Sequence, residues 1–233
     1  MTLYLSRLKI SRKPSAAALA QLIDPDDPGR RDDAHHRLLW SVFAGDAGQR
    51  RDFLWRADGR GRFMVLSRRP PGDSPLFEKP EVKEFSPDLS PGDRLAFKLR
   101  ANATVTKRSD ALAPNGKRRR HHHDVVMETL RHVEPGPERA ARRMHLAQEA
   151  ARSWLDGQGA RNGFVVADCN VEDYSVRALP SHRGIRKRQP QFGILEIMGT
   201  LTVRDPVAFL AKLAQGFGRA RAYGCGLMLV RRA

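Results

Sequence analysis

The 233-residue chain has only two cysteines, Cys169 and Cys225, and neither sits in a CxxC or other metal-ligand spacing. A disulfide framework is therefore not expected, which fits a reducing cytoplasm. No stretch approaches eighteen consecutive apolar residues, so no helical membrane span is expected. The first residues lack the long apolar segment of a secretory leader. Aromatic residues make up 7 % of the chain, which argues against a surface built on many stacked bases. Acidic residues are also scarce: 26 Asp and Glu stand against 42 Lys and Arg, a formal charge of +16.

That imbalance, with an isoelectric point near 10.9, creates a positive field that attracts polyanions. Hydrophobic residues reach 40 %, enough for packed cores. The basic residues cluster beside glycine-rich turns. The segment Gln215–Arg232 opens with glycines and arginines and runs into an apolar strand. Glycine lets backbones approach closely, and arginine offers a fork for phosphate.

Leu3, Leu5, Leu8 and Ile10 alternate with polar neighbours and read as a first strand, with one slip in phase. Residues 24–34 read as a loop, with Asp32 or Asp33 capping a helix whose apolar face holds Leu38, Leu39, Val42 and Phe43. Phe53–Trp55 and Phe63–Leu66 flank Asp58-Gly59-Arg60-Gly61, a hairpin pattern. Residues 69–92 are proline-rich without helical period, and Arg94–Arg100 alternates as a strand. This order resembles βαββαβ with a degraded second helix. Lys117-Arg118-Arg119-Arg120-His121-His122-His123 reads as a mobile cationic loop. A helix is expected over Glu138–Leu155, ended by Gly157-Gln158-Gly159. Strands are expected from Phe164 and over Phe192–Val203, with a basic loop, Arg183–Arg188, between them. A helix capped by Asp205 follows, and Leu227–Val230 closes the chain. The second half again reads as βαββαβ, a weak internal duplication.

Histidine can exchange a proton near neutral pH, and RNA carries its own nucleophile in the 2′-OH. His36 is a candidate proton-transfer group on this basis, and His35 competes equally by position. The pairs Asp26-Asp27 and Asp32-Asp33 carry carboxylates that suit Mg²⁺, but their turn composition favours capping. His121–His123 lies within an arginine run that repels a cation. No metal and no cofactor is expected. Gly216-Phe217-Gly218 is not a phosphate-binding P-loop, because no GK[ST] follows.

Four segments in order resemble the CasE family, the precursor-RNA processing endoribonucleases of the type I-E CRISPR Cascade complex. They are Met1–Arg7; His36–Phe43 with Arg51–Trp55; Phe97-Lys98-Leu99-Arg100-Ala101-Asn102; and Gly199–Val203 with Gly216–Leu229. The resemblance implies an α+β fold of tandem ferredoxin-like (RRM-like) βαββαβ domains. Residues 1–100 would form the N-terminal domain carrying the catalytic histidine. Residues 101–233 would form the C-terminal domain with basic loops and the glycine-rich terminal loop. It implies metal-free cleavage at the base of a CRISPR repeat hairpin, leaving a 2′,3′-cyclic phosphate (or 3′-phosphate) and a 5′-OH, with the product retained beside other Cascade subunits. It assigns catalysis to His36 through the His-x-x-Leu spacing. Expected RNA contacts are Arg37, Lys117, Arg118, Arg183, Arg186, Lys187, Arg188, Gly216, Gly218, Arg219 and Arg221.

The sequence departs from the family in three places. Asp33 stands where some relatives carry tyrosine, Ser41 where some carry lysine, and Ala103 where the family has proline. A carboxylate at Asp33 would raise the pKa of the neighbouring histidine. A non-catalytic RNA-hairpin-binding subunit of the same superfamily is the competing expectation. A basic ribosome-associated or DNA-binding protein would leave the glycine-rich terminus unexplained.

Overall fold

The structure is a computed structural model that describes residues 2–13, 19–43, 45, 48–112, 116, 118–178 and 190–233. The first unit contains β1 (Tyr4–Lys9), α1 (Ala20–Ile23), α2 (Pro28–Phe43), β2 (Phe53–Ala57), β3 (Arg62–Ser67) and β4 (Glu81–Glu84). Its sheet is antiparallel in the order β2-β3-β1-β4. The second unit contains β5 (Arg94–Ala101), β6 (Thr104–Leu112), β7 (Arg118–Asp124), α3 (Val125–Leu130) and α4 (Pro137–Asn162). It continues through β8 (Phe164–Ala178), β9 (Gln191–Val203), α5 (Pro206–Gln215), a 3₁₀ turn at Arg221–Tyr223, and β10 (Met228–Arg232). Its main sheet is also antiparallel, in the order β10-β5-β9-β8. Counted within each unit, both sheets run 4-1-3-2, the ferredoxin-like order.

Sheet pairing corrects the expected division after residue 100. The backbone hydrogen bonds of β5 go to β9 and β10, so Arg94–Ala101 is the first strand of the second unit. The first unit is closed instead by β4, whose four residues are all exposed and carry no alternating apolar signal. Among the described residues it has no helix between β3 and β4. In its place an irregular segment packs Phe77 into the core, with Gly72 N–H donating to Val42 O at 2.7 Å.

Three local expectations also change. Helix α2 starts at Pro28 with Asp27 as its cap: Asp27 Oδ1 accepts from Arg30 N–H at 2.7 Å, while Asp32 is buried inside the helix. Helix α4 runs through Gly157 and Gly159 because its turns pack against β8; it stops at Gly163, whose φ of 73° favours glycine. The cationic run is no loop from Arg118 onward. Strand β7 pairs with β6, and Asp124 at its end caps α3 by accepting from the N–H groups of Val126 and Met127.

Each unit has its own core. Leu8, Leu39, Trp55 and Phe63 anchor the first; Leu99, Leu155, Phe164, Phe209 and Phe217 anchor the second. Between them lie Leu54, Leu66 and Leu227. Charged bridges cross the same boundary: Arg56 Nη2 meets Glu196 Oε2 at 3.4 Å, and Arg100 Nη2 meets Asp32 Oδ2 at 3.3 Å. These groups are largely buried, so each charge is tolerated only with its partner, which ties the two sheets to one relative placement.

Candidate functional site

The two histidines of α2 face different surroundings, since consecutive helical positions lie about 100° apart. His35 is buried against Phe63, with ring centres 4.8 Å apart, and its Nε2 meets Asp24 Oδ1 at 3.1 Å. His36 is half-buried beside Trp40 and Phe53, and Trp40 Nε1–H donates to its Nε2 at 3.3 Å. Burial, then the Arg51 guanidinium, push the His36 imidazole below the usual histidine range. Asp33 pulls upward, as expected from the sequence, but burial and Arg51 outweigh it. Asp33 is also engaged in an ion pair with Arg37, its neighbour one turn on. The result is a neutral imidazole with an acceptor nitrogen, the form suited to taking a proton.

The glycine-rich segment brings cations to this helix. Phe217 is fully buried and touches Phe164, with ring centres 6.1 Å apart. Its N–H donates to Gly226 O at 2.9 Å, so the segment closes on itself. Asn102 clamps it from the side: Asn102 O accepts from Arg219 N–H at 3.0 Å, and Asn102 Nδ2 donates to Gly193 O at 2.7 Å. Gly218 sits so close to Asn102 that a Cβ there would lie 2.4 Å from its carbonyl oxygen, and its φ is 69°. The Phe97–Asn102 motif therefore shapes the loop that follows it in space, a role the sequence does not display.

Beyond the clamp, Arg219 is exposed and Arg221 half-buried. Arg221 is lowered by burial and by Arg219, and Arg51 by burial and by Arg221. These guanidiniums stay charged; the shifts register burial first and mutual repulsion second. Arg219 also lowers His122 on β7, after desolvation and ahead of Arg120. One cationic track thus links the β6–β7 hairpin, Arg219, Arg221, Arg51 and His36. Tyr223 closes its edge, with its phenol pushed up by burial and by Asp33 and its ring 5.3 Å from Phe192.

Of the expected residues, His36 and Arg37 lie on α2, with Arg37 exposed and paired to Asp33, and the turn that begins at Arg221 packs against α2, with Arg221 acting on Arg51 and Arg51 on His36. Arg118 is exposed on β7. Lys117, Arg183, Arg186, Lys187 and Arg188 lie outside the described residues. The expected backbone contact at Gly216 is corrected: it is buried and its N–H donates to Lys212 O at 2.9 Å, which leaves it no donor for a ligand. Gly218 serves loop closure. Ser41, at the family's lysine position, meets Ser74 Oγ at 3.0 Å. Arg51 and Tyr223 were missed. Both lie within the segments that carry the family resemblance, but only folding sets them against α2. Among the described residues, no three His, Cys, Asp or Glu side chains gather where they could hold a metal ion, and no helix is long and apolar enough to cross a membrane.

Comparison with known proteins agrees with the motifs. A sequence model of the family described as CRISPR associated protein matches residues 3–232. The CRISPR system Cascade subunit CasE of Escherichia coli strain K12 is 23 % identical over 203 residues, covering 83 % of this chain and 88 % of that protein. The crystal structure of Cas6e from Escherichia coli str. K-12 superposes with a TM-score of 0.59 at 21 % identity, covering 99 % of this chain and all (100 %) of that one. Thermus thermophilus Cse3 bound to an RNA representing a pre-cleavage complex gives 0.61 at 23 % identity, covering 99 % and 100 %. These likenesses share the tandem ferredoxin-like fold, and with the family match spanning nearly every residue, this chain belongs to the CRISPR-associated protein family, on the CasE side of it.

Proposed function

We propose that this chain is a cytoplasmic endoribonuclease that cuts CRISPR precursor RNA at the base of the repeat hairpin and keeps the product as a subunit of a Cascade complex. The carrying observation is a half-buried histidine held neutral among arginines that lack balancing carboxylates. That pairing supplies what RNA self-cleavage needs: a base for the hydroxyl and positive charge for the phosphate. Relatives of the same fold are named CRISPR endoribonuclease Cse3 bound to RNA, which supports the reading.

In the proposed reaction, the 2′-OH displaces Trp40 from His36 Nε2, a long hydrogen bond and cheap to give up. Nε2 takes the hydroxyl proton as the 2′ oxygen bonds to phosphorus. The bond to the 5′ oxygen breaks, and that oxygen takes a proton from water, leaving a 2′,3′-cyclic phosphate and a 5′-OH. Arg51 and Arg221 stabilise the extra negative charge on the phosphoryl oxygens. The β6–β7 hairpin and Arg219 grip the stem.

The decisive experiment incubates the cognate repeat RNA with protein in excess EDTA and resolves the products on a denaturing gel. Cutting is expected to persist, and a 2′-deoxy residue at the scissile position is expected to abolish it. Loss of cutting that Mg²⁺ restores would overturn the metal-free mechanism. Tight binding without any cutting would make the chain a binding subunit only.

A further inference from the structure

The flank of α2 that carries Arg31 and His35 borders a second cationic feature, a cavity of about 240 Å³ between the two units. Five arginines line it: Arg31 from α2, Arg60 from the β2–β3 turn, Arg62 from the start of β3, Arg100 from β5 and Arg177 from the end of β8. Its two carboxylates are already engaged. Asp24 Oδ1 meets Arg31 Nε at 3.0 Å and His35 Nε2 at 3.1 Å, and Asp32 Oδ2 meets Arg100 Nη2 at 3.3 Å. Arg60, Arg62 and Arg177 form no ion pair among the described residues.

We propose that this cavity is a seat for a phosphate group, separate from the cleavage site. Arg60 and Arg62 from the β2–β3 hairpin and Arg177 from the end of β8 reach it without an ion pair of their own, Arg177 sharing the field of Asp32, and Arg31 and Arg100 are held in place by their carboxylates. A tetrahedral oxyanion offers acceptors in several directions at once, which suits forks arriving from separate elements; a planar carboxylate meets fewer of them. The donors belong to both units, so an occupant bridges them. The phosphate comes either from inorganic phosphate or from the backbone of repeat RNA that runs past the hairpin; the second source rests on the proposed function, the first does not.

The test uses the full chain in three forms: the parent, Arg62→Gln/Arg177→Gln, and a control, Arg94→Gln/Arg204→Gln, that removes two exposed arginines outside the cavity. Inorganic phosphate is titrated calorimetrically at constant ionic strength. One saturable site is expected in the parent and the control, weakened about tenfold or more in the cavity variant, because charge-assisted hydrogen bonds of this kind are removed. Thermal melting without phosphate checks folding: the cavity variant is expected to melt no lower than the parent, because it loses like charges. In the RNA arm, the repeat hairpin is compared with the same hairpin carrying a 5′ single-stranded extension. If the seat takes an RNA phosphate, the affinity advantage of the extension disappears in the cavity variant alone. If it takes inorganic phosphate only, the advantage stays and the calorimetric difference remains. The proposal is overturned if the parent shows neither a saturable phosphate site nor an extension advantage sensitive to the cavity variant, or if the control variant loses as much. Cleavage of the bare hairpin is expected to be equal in parent and cavity variant, so failure of the endoribonuclease reading is seen separately.

Discussion

The two units share one strand order but divide their duties. The second is complete: helices α4 and α5 cover one face of its sheet, and Phe164, Phe209 and Phe217 bind the glycine-rich segment into its core. The first has a single long helix, a four-residue edge strand and an irregular segment where its second helix would be. The reduced unit carries the histidine; the complete unit carries the arginine loop and the β6–β7 hairpin. A site assembled across such a boundary gets its histidine and Arg51 from one unit and Arg219 and Arg221 from the other. Its geometry then depends on how the pieces are locked together.

The sharpest way to test that division is to strike the first unit's contribution alone. His36→Ala is expected to slow cleavage by about 10²–10⁴-fold, the usual effect of one proton-transfer group, with hairpin affinity near the parent's. Single-turnover rates and binding isotherms on the same RNA check both halves. His35→Ala, by contrast, is expected to act through stability, since His35 is buried against Phe63 and Asp24. A normal cleavage rate in His36→Ala and an inactive but folded His35→Ala would exchange their roles.

Striking the second unit at its core should do the opposite. Phe217→Ala is expected to destabilise the chain by about 3–5 kcal/mol, since it removes a fully buried ring at the root of the loop. Denaturant unfolding measures this, and RNA binding should fall with it as Arg219 and Arg221 lose their support. Removing only the charges is milder. Arg219→Ala/Arg221→Ala is expected to keep the fold and reduce the slope of log affinity against log salt by roughly 0.7–0.9 for each phosphate no longer neutralised. An unchanged slope would place the RNA elsewhere.

The smallest effect concerns charge within the first unit. In the proposed reaction His36 takes a proton, so cleavage is expected to fall as pH drops through its pKa, which burial and Arg51 hold below the usual histidine range. Arg51→Gln removes a depressing charge and should raise that pKa. The acid limb of the rate profile should then move to higher pH, and single-turnover rates across the weakly acidic range would show it.

Much of this arrangement is legible in the chain. Alternating Leu-x-Phe-x-Leu at Leu95, Phe97 and Leu99 gives a buried strand, and Asp205-Pro206 gives a helix start that the structure confirms. What stayed hidden has physical reasons. Strand β4 has a single apolar residue, Val82, because it pairs at a sheet edge and buries no side chain. Strand β7 reads as a solvated cation run, because its hairpin is held by backbone pairing and an Asp124 cap instead of an apolar face. That β5 opens the second unit depends on which strands it meets, and no local pattern encodes that. At the site, His36 was legible as chemistry, but its choice over His35 from the residues alone was not, since only the helix orientation separates them. Arg51 carries no motif of its own; its significance comes from the Arg221 charge that folding places nearby.

The indole of Trp40 touches the imidazole of His36. The chain's other two tryptophans, Trp55 and Trp154, lie at 0 % and 8 % exposure in the separate cores. An imidazolium withdraws electrons from an excited indole far more readily than a neutral ring does. Emission from Trp40 therefore dims when His36 takes a proton, so in a Trp55→Phe/Trp154→Phe background the protein carries its own optical gauge of the reacting proton. Without RNA present, that light would follow the ionisation of a single group before any bond is broken.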